Sequence, residues 1–435
     1  MAHSMRPITR WHHKIFQARF CWIFGALFFL MEYFIRISPS VIDDQLASSF
    51  HADALMVGII SAMFYYAYII MQVPVGMLID RYGPYRLMLI SILICGLSIL
   101  LFSTTHNYML AIASRFLSGF SAAFAFVGTL KLISNWLPAK HFALLAGITQ
   151  ASGMIGAAIG DAPMAKAVSQ FGWRQTNLGI FFLFLILAIL FALFVRDRPK
   201  NYRHNQSKTH TVVNVLSGLQ TVLKNKQTWL NSIFIGMLYG PTAAFGGMWG
   251  VTYLSLYYHE TIHAAAVHVG LIFIGMVFGN PFFGWWSDRW GKRLPVMRIS
   301  CLSCFALLAL SLYGHQWFVS TSLLYVILFI YGFCNAGITP SYAVASEINS
   351  RQLMGISLGI TNMASILIGS LSIPLIGHLI DLQLVHHHLL MPALKIHAFQ
   401  LAFVMFSVYF LVAFLVSFWI KETNCKSINN IANSI

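Results

Sequence analysis

Five ionisable residues stand inside long apolar stretches of the chain: Glu32, Arg36, Arg115, Lys131 and Asp161. A charge held in a hydrocarbon layer costs on the order of 2.5–3.5 kcal/mol on insertion scales, so such residues face a partner or a water-filled cavity. Glu32 and Arg36 are four residues apart, a spacing at which a carboxylate and a guanidinium meet on one helix face. Two chemistries follow. Either the charges neutralise each other as a structural unit, or Arg36 binds an anionic group while Glu32 takes up a proton once the arginine is drawn away. A carboxylate in a low dielectric keeps its proton until a cation approaches. Asp161 is a second candidate proton carrier. Lys131 either lines a cavity or snorkels to the interface, since it lies five residues before Trp136, about 7.5 Å along a helix.

Three cations against one or two anions favour a solute with at least one negative charge. Organic acids, amino acids, short peptides and carboxylate siderophores qualify. A zwitterion would also suit the pair, with its carboxylate on Arg36 and its amine on Glu32. All five residues lie in the first half of the chain. In the second half no Asp, Glu, Lys or Arg enters the core of an apolar run. Recognition there is expected from aromatic and amide side chains, Tyr239, Asn335 and Asn362 foremost. Gly240-Pro241 and Thr339-Pro340 interrupt the runs that carry them and free backbone groups for bending.

These residues need a scaffold that crosses a membrane. Of 435 residues 58% are hydrophobic and 9% charged, with mean hydropathy +0.73, against roughly 25% charged residues in soluble domains. A cytosolic enzyme, a secreted disulfide scaffold and a disordered regulator are excluded. The net charge of +15 lies between apolar runs, so it does not read as a nucleic-acid footprint. Six cysteines show no metal-ligand spacing, and His386-His387-His388 reads as a solvated loop. No metal, cofactor or nucleic-acid partner is expected.

A spanning helix needs about 20 apolar residues. Twelve runs qualify, near 20–38, 55–77, 87–104, 108–133, 142–162, 175–195, 229–257, 265–286, 295–314, 319–345, 354–380 and 397–420. The sequence thus predicts an all-α integral membrane protein with a bundle at 1–195, a linker at 196–228 and a second bundle at 229–435. Residues 212–223 have the spacing of a short interfacial helix. With the N-terminus inside, 21 of the 27 Lys and Arg residues fall on the inner side, which places both termini in the cytoplasm. A bacterial inner membrane and a monomeric chain are expected.

Two loops repeat each other. Gly76-Met77-Leu78-Ile79-Asp80-Arg81-Tyr82-Gly83-Pro84-Tyr85-Arg86 and Gly284-Trp285-Trp286-Ser287-Asp288-Arg289-Trp290-Gly291-Lys292-Arg293 each end the second span of a bundle. A carboxylate at a helix end, beside arginine and a turn-forming glycine, can hold a neighbouring helix and release it. Asp80, Arg81, Arg86, Asp288 and Arg289 are therefore candidate gating residues.

These loops resemble those of the major facilitator superfamily, and the resemblance covers the whole chain. Arg115-x-x-x-Gly119 and Asn135-Trp136-Leu137-Pro138 are similar to the family's fourth-helix pattern, which adds Arg115 to the gating set. Gly153, Gly156 and Gly160 partly match its antiporter motif, with Asp161 where that motif has proline. The resemblance implies two pseudosymmetric six-helix bundles, a midplane site and alternating access. Arg36, with Tyr33-Phe34-Ile35 before it, is similar to the first-helix arginine of the organophosphate–phosphate antiporters; their second arginine, on the seventh helix, has no counterpart in 229–257. Anion–cation symporters carry a fourth-helix glutamate where this chain has Ala122.

The expected function is secondary active transport of a small carboxylate-bearing or zwitterionic solute, coupled to protons as symport. An organophosphate–phosphate antiporter and a drug efflux pump are alternatives, and a non-transporting membrane sensor is a different class. No Walker A sequence occurs, and no catalytic constellation points to an enzyme.

Overall fold

The computed structural model describes residues 7–52, 54–197, 215–314, 320–385 and 392–426. They form helices and short connections, with no strand among the described residues. The helices are α1 (Pro7–Val41), α2 (Asp43–Phe50), α3 (Ala54–Tyr82), α4 (Pro84–Thr104), α5 (Tyr108–Ala122), α6 (Phe124–Trp136), α7 (Phe142–Phe171) and α8 (Trp173–Phe194). They continue as α9 (Val215–Lys224), α10 (Lys226–Ala244), α11 (Gly250–Tyr257), α12 (Ile262–Trp290), α13 (Leu294–Tyr313), α14 (Thr321–Asn335), α15 (Thr339–Glu347), α16 (Met354–Val385) and α17 (Pro392–Val416). Leaving aside the short α2 and α9 and joining α5 to α6, α10 to α11 and α14 to α15 gives twelve rods among the described residues, six in each half. Ten stretches of the described residues are long and apolar enough to cross a membrane. The other two rods are α7, with an apolar piece at Phe142–Gly156, and the rod of α10 and α11, which a π turn divides.

Most helices are apolar all round, as lipid on one side and protein on the other require. On α8, Ile180, Phe184, Leu187 and Phe191 are buried, while Leu183, Ile186, Ile189 and Leu193 are exposed. The breaks have local causes. Proline removes a backbone donor and crowds the preceding turn. The rod through Gly240-Pro241 stays helical to Ala244 and then widens into a π turn at Phe245–Trp249. The expected interruption thus falls a turn beyond the proline. Near Pro340 the helix tightens to a 3₁₀ turn at Ala336–Ile338.

The chain divides into two compact units. The first comprises Met1–Phe142, Ile155–Thr221 and Gln352–Gly359; the second comprises Ala143–Met154, Val222–Arg351 and Ile360–Ile435. The start of α16 therefore packs with the first unit, and most of the first half of α7 packs with the second. The segment 212–223, read as a short helix, contains α9 from Val215 onward; its first three residues lie outside the described set.

Within the second unit α12 and α14 approach closely. A Cβ built at Gly332 would stand 1.9 Å from the Ile272 carbonyl oxygen, and one at Gly275 would stand 2.1 Å from that of Phe329. With no hydrophobic drive between helices in lipid, such small-residue contacts carry association. The Gly332→Ala variant is expected to lose thermal stability in detergent by about 1–3 kcal/mol from overpacking. A melting midpoint equal to the parent's would show that the helices separate at no cost.

Candidate functional site

The first unit holds a buried charge cluster built on α1. Glu32 is fully buried and Arg36 nearly so. The Arg36 Nε donates to Glu32 Oε1 at 2.9 Å, and Nη2 donates to the same oxygen. Glu32 Oε2, also buried, has no hydrogen-bond partner. The guanidinium lies 4.2 Å from the Tyr33 ring centroid, 4.4 Å from Tyr68 and 5.7 Å from Phe64. Three π faces within about 6 Å hold a cation by the ring quadrupole. The sequence supplies this geometry simply, because Tyr33 lies three residues from Arg36 on α1, and Phe64 and Tyr68 are four apart on α3. Tyr33 and Phe64 were not among the residues expected at the site.

Arg115, expected in the gate, sits beside this cluster. Its Nη1 donates to the Ile35 carbonyl oxygen at 3.0 Å and its Nη2 to that of Arg36 at 3.4 Å, with Phe64 5.0 Å from the guanidinium. It grips the backbone that carries Arg36. Asp161 belongs to α7, but its side chain lies outside the described residues, as do His386, His387 and His388.

The repeated loops have a different use for each residue. Asp80 Oδ1 accepts the Gly355 amide and Oδ2 the Ile356 amide, both at 2.9 Å. These amides open α16, where backbone donors lack helical partners and the dipole favours an anion. In the second unit Asp288 Oδ2 accepts the Leu144 amide at 2.9 Å near the start of α7. The glycine four residues earlier makes each contact possible. A Cβ at Gly76 or at Gly284 would stand 2.3 Å from the carbonyl oxygen of Gly355 or Ala143, respectively.

The counter-charges differ between the units. Lys131, expected among the substrate ligands, donates to Asp80 Oδ1 at 2.5 Å. Arg293 donates to Asp288 Oδ1 at 2.7 Å and to Glu347 Oε1 at 2.8 Å. Thr423 also donates to Glu347. Burial opposes the charge on Arg293, but the two carboxylates outweigh it and hold the guanidinium above its ordinary range. Arg81 lies over the Tyr82 ring and Arg289 over that of Trp285, both exposed, and Arg86 is exposed.

Arg293 ends the second repeated loop but is not in the gating set read from it, and Glu347 follows the expected span 319–345, so neither was expected at the site. A second repeat accompanies the loops. Arg196-Asp197 and Lys421-Glu422 follow the sixth and twelfth rods. Asp197 accepts the Tyr85 amide at 2.7 Å, and Glu422 accepts the Arg293 and Leu294 amides at 2.9 Å each. Both carboxylates cap the helix after a repeated loop, and the recurring basic–acidic pair was the available signal.

The second unit supplies neutral polar groups. Asn362 Oδ1 accepts from Tyr342 at 3.0 Å, and Gln150 Nε2 lies 3.5 Å from the Tyr342 oxygen. Thr339 donates to Asn280 at 2.8 Å. Asn335 is fully buried and braces the α10 backbone through Leu238, with its Oδ1 lacking a hydrogen-bond partner. Tyr239 is half-buried on α10. Among the described residues no cluster of three metal-ligating side chains occurs.

Comparison with known proteins agrees with this architecture. The sequence profile of the Major Facilitator Superfamily matches residues 21–372 and 249–431. The chain is 24% identical over 177 residues to the "Probable sulfoacetate transporter SauU" of Cupriavidus necator, covering 41% of each chain. It therefore spans about two fifths of that relative's length. Over 387 residues, 81% of each chain, it is 25% identical to the "Probable hexose phosphate transport protein" of Chlamydia pneumoniae. Its fold matches a crystal structure of the transporter FucP with a TM-score of 0.69 and 14% identity, covering 92% of this chain and 98% of that one. A profile that takes in nearly the whole chain, on twelve helical rods with paired aspartate loops, shows that this multi-pass membrane protein belongs to the Major Facilitator Superfamily, a family of transporters rather than enzymes.

Proposed function

We propose that the protein is a secondary active transporter of a small organic anion, with Arg36 as the anion anchor and Glu32 as the proton carrier. The observation that carries this reading is one buried guanidinium, caged by aromatic rings and balanced by a carboxylate with a bare second oxygen. An incoming carboxylate competes with Glu32 for the donors of Arg36. Glu32, displaced in a low dielectric, then binds a proton at Oε2. Anion and proton so enter together, and the cluster's charge balance is kept. The name of the Cupriavidus relative, a probable sulfoacetate transporter, supports an anionic cargo. We place both termini in the cytoplasm of a bacterial inner membrane, from the distribution of Lys and Arg, and take the monomer as the working unit.

The test is uptake by proteoliposomes of purified protein under an imposed pH gradient. Radiolabelled sulfoacetate, a sugar acid, an amino acid and a hexose phosphate serve as probes. Accumulation of an acid above equilibrium, collapsing with a protonophore, is expected. Uptake indifferent to the gradient would remove the proton from the mechanism. The near-full-length likeness to a probable hexose phosphate transport protein favours a second reading, exchange of a phosphorylated solute. Preloading vesicles with inorganic phosphate would then accelerate hexose phosphate entry and leave carboxylate entry unchanged.

A further inference from the structure

A further close pair of ionisable groups lies in the second unit, apart from the Arg293 cluster. His268 is fully buried on α12, with its Nδ1 2.9 Å from Glu260 Oε2. Its Nε2 lies 3.3 Å from the carbonyl oxygen of Thr321, and its ring centroid 3.9 Å from that of Tyr325, both on α14. Glu260 stands in the tight connection from α11 to α12. There His259 adopts a left-handed backbone (φ 55°), the Glu260 amide bonds the Ser255 carbonyl oxygen at 3.1 Å, and Thr261 caps α12 by accepting from Ala264. So short a connection has little slack, and whatever holds Glu260 holds the end of α11 against α12 and α14.

The contacts define the protons they require. A carbonyl oxygen only accepts, so Nε2 carries a hydrogen when it bonds Thr321. Nδ1 and Glu260 Oε2 make no well-directed hydrogen bond to any group, although they sit at ion-pair distance. A neutral ring with hydrogen on Nε2 would turn the Nδ1 lone pair toward a carboxylate, which repels. One proton between Nδ1 and Oε2 satisfies both sides, carried either on the ring against a carboxylate or on the carboxyl as a donor to the Nδ1 lone pair. The other titratable groups facing the pair are tyrosines: Tyr325 from α14, and Tyr258 from the end of α11, whose hydroxyl donates to the Ser311 carbonyl oxygen of α13. His259 is exposed, and the side chain of His263 lies outside the described residues. Among the described residues, His268 is the group that Glu260 meets at ion-pair distance.

We infer that His268 and Glu260 form a proton-operated clamp on the α11–α12 connection, closed when a proton lies between Nδ1 and Oε2 and loosened when that proton is lost. The clamp is independent of the transported solute and of the Glu32–Arg36 pair. Its test needs no substrate: hydrogen–deuterium exchange of the full-length protein in detergent, at about pH 5.5 and pH 8, corrected for intrinsic exchange. Protection of amides in 255–268 is expected to be about tenfold greater at the lower pH, because opening of the connection then also breaks the proton-bridged contact. In His268→Gln and Glu260→Gln, measured separately, that difference is expected to vanish while α4 and α8 exchange as in the parent. A parent segment with the same protection at both pH values overturns the inference, and so does a pH difference that survives in either variant. Glu260→Gln is the safer of the two for folding, because its side chain is not fully enclosed.

Discussion

Replacing Arg36 with alanine is expected to lower initial uptake at least about thirtyfold, because a desolvated charge pair lost at a binding site costs about 2–5 kcal/mol and each 1.36 kcal/mol is tenfold. The guanidinium contributes two donors to one carboxylate oxygen and lies between the Tyr33 and Tyr68 rings. Arg36→Lys keeps the charge but loses the planar fork, so a partial rate with a raised KM is expected. Glu32→Gln separates binding from coupling. It should retain solute exchange between vesicle interior and exterior and lose accumulation driven by the pH gradient. Removing the arginine alone strands a buried carboxylate, so lost uptake could reflect lost folding. The double variant Arg36→Met with Glu32→Gln removes both charges at similar volume and is expected to fold well yet carry nothing. Uptake by that double variant would make the pair a structural element and end its role in recognition.

The second large effect concerns stability. Arg293→Ala is expected to destabilise the protein by about 3–5 kcal/mol, the usual cost of leaving buried charge uncompensated. Arg293 is fully buried and binds both Asp288 and Glu347, and without it the two carboxylates face each other across a vacated volume. The melting midpoint in detergent should fall sharply, with reduced yield of monodisperse protein. Glu347→Gln placed on Arg293→Ala should recover part of the loss by removing one of the stranded charges. If Arg293→Ala melts with the parent, the guanidinium is dispensable and the cluster is a solvated end of the unit. Lys131→Ala should act more mildly on Asp80, which keeps the Gly355 and Ile356 amides as partners.

The legibility of this molecule differs by feature. Glu32 and Arg36 pair as their spacing on one helix indicates, because both partners and the rule that joins them lie within one turn. Lys131 shows the opposite case. From the sequence it was a cation of unknown facing, and its partner Asp80 is 51 residues away on another helix. Nothing in the composition of α6 determines which side of α3 it meets. Arg293 has the same difficulty. One of its carboxylates is five residues distant and the other 54, and only the rotation of α15 against α12 brings Glu347 to it. The aromatic cage was half legible, since Tyr33 lies one turn before Arg36 on the same helix while Phe64 looked like any lipid-facing phenylalanine.

What the sequence alone determined was the membrane class, the twelve spans, the doubling of the aspartate loops and the small set of charges that must have partners. Those properties follow from local sums, such as the hydropathy of a 20-residue run, or from comparing one half of the chain with the other. Only the tertiary structure decided which partner each charge takes. Asp80 meets amides 275 and 276 residues further along the chain. That meeting depends on Gly76 lacking a side chain at the point where two backbones touch. Close approach of helices is set by packing over their whole length, and no window of sequence contains it.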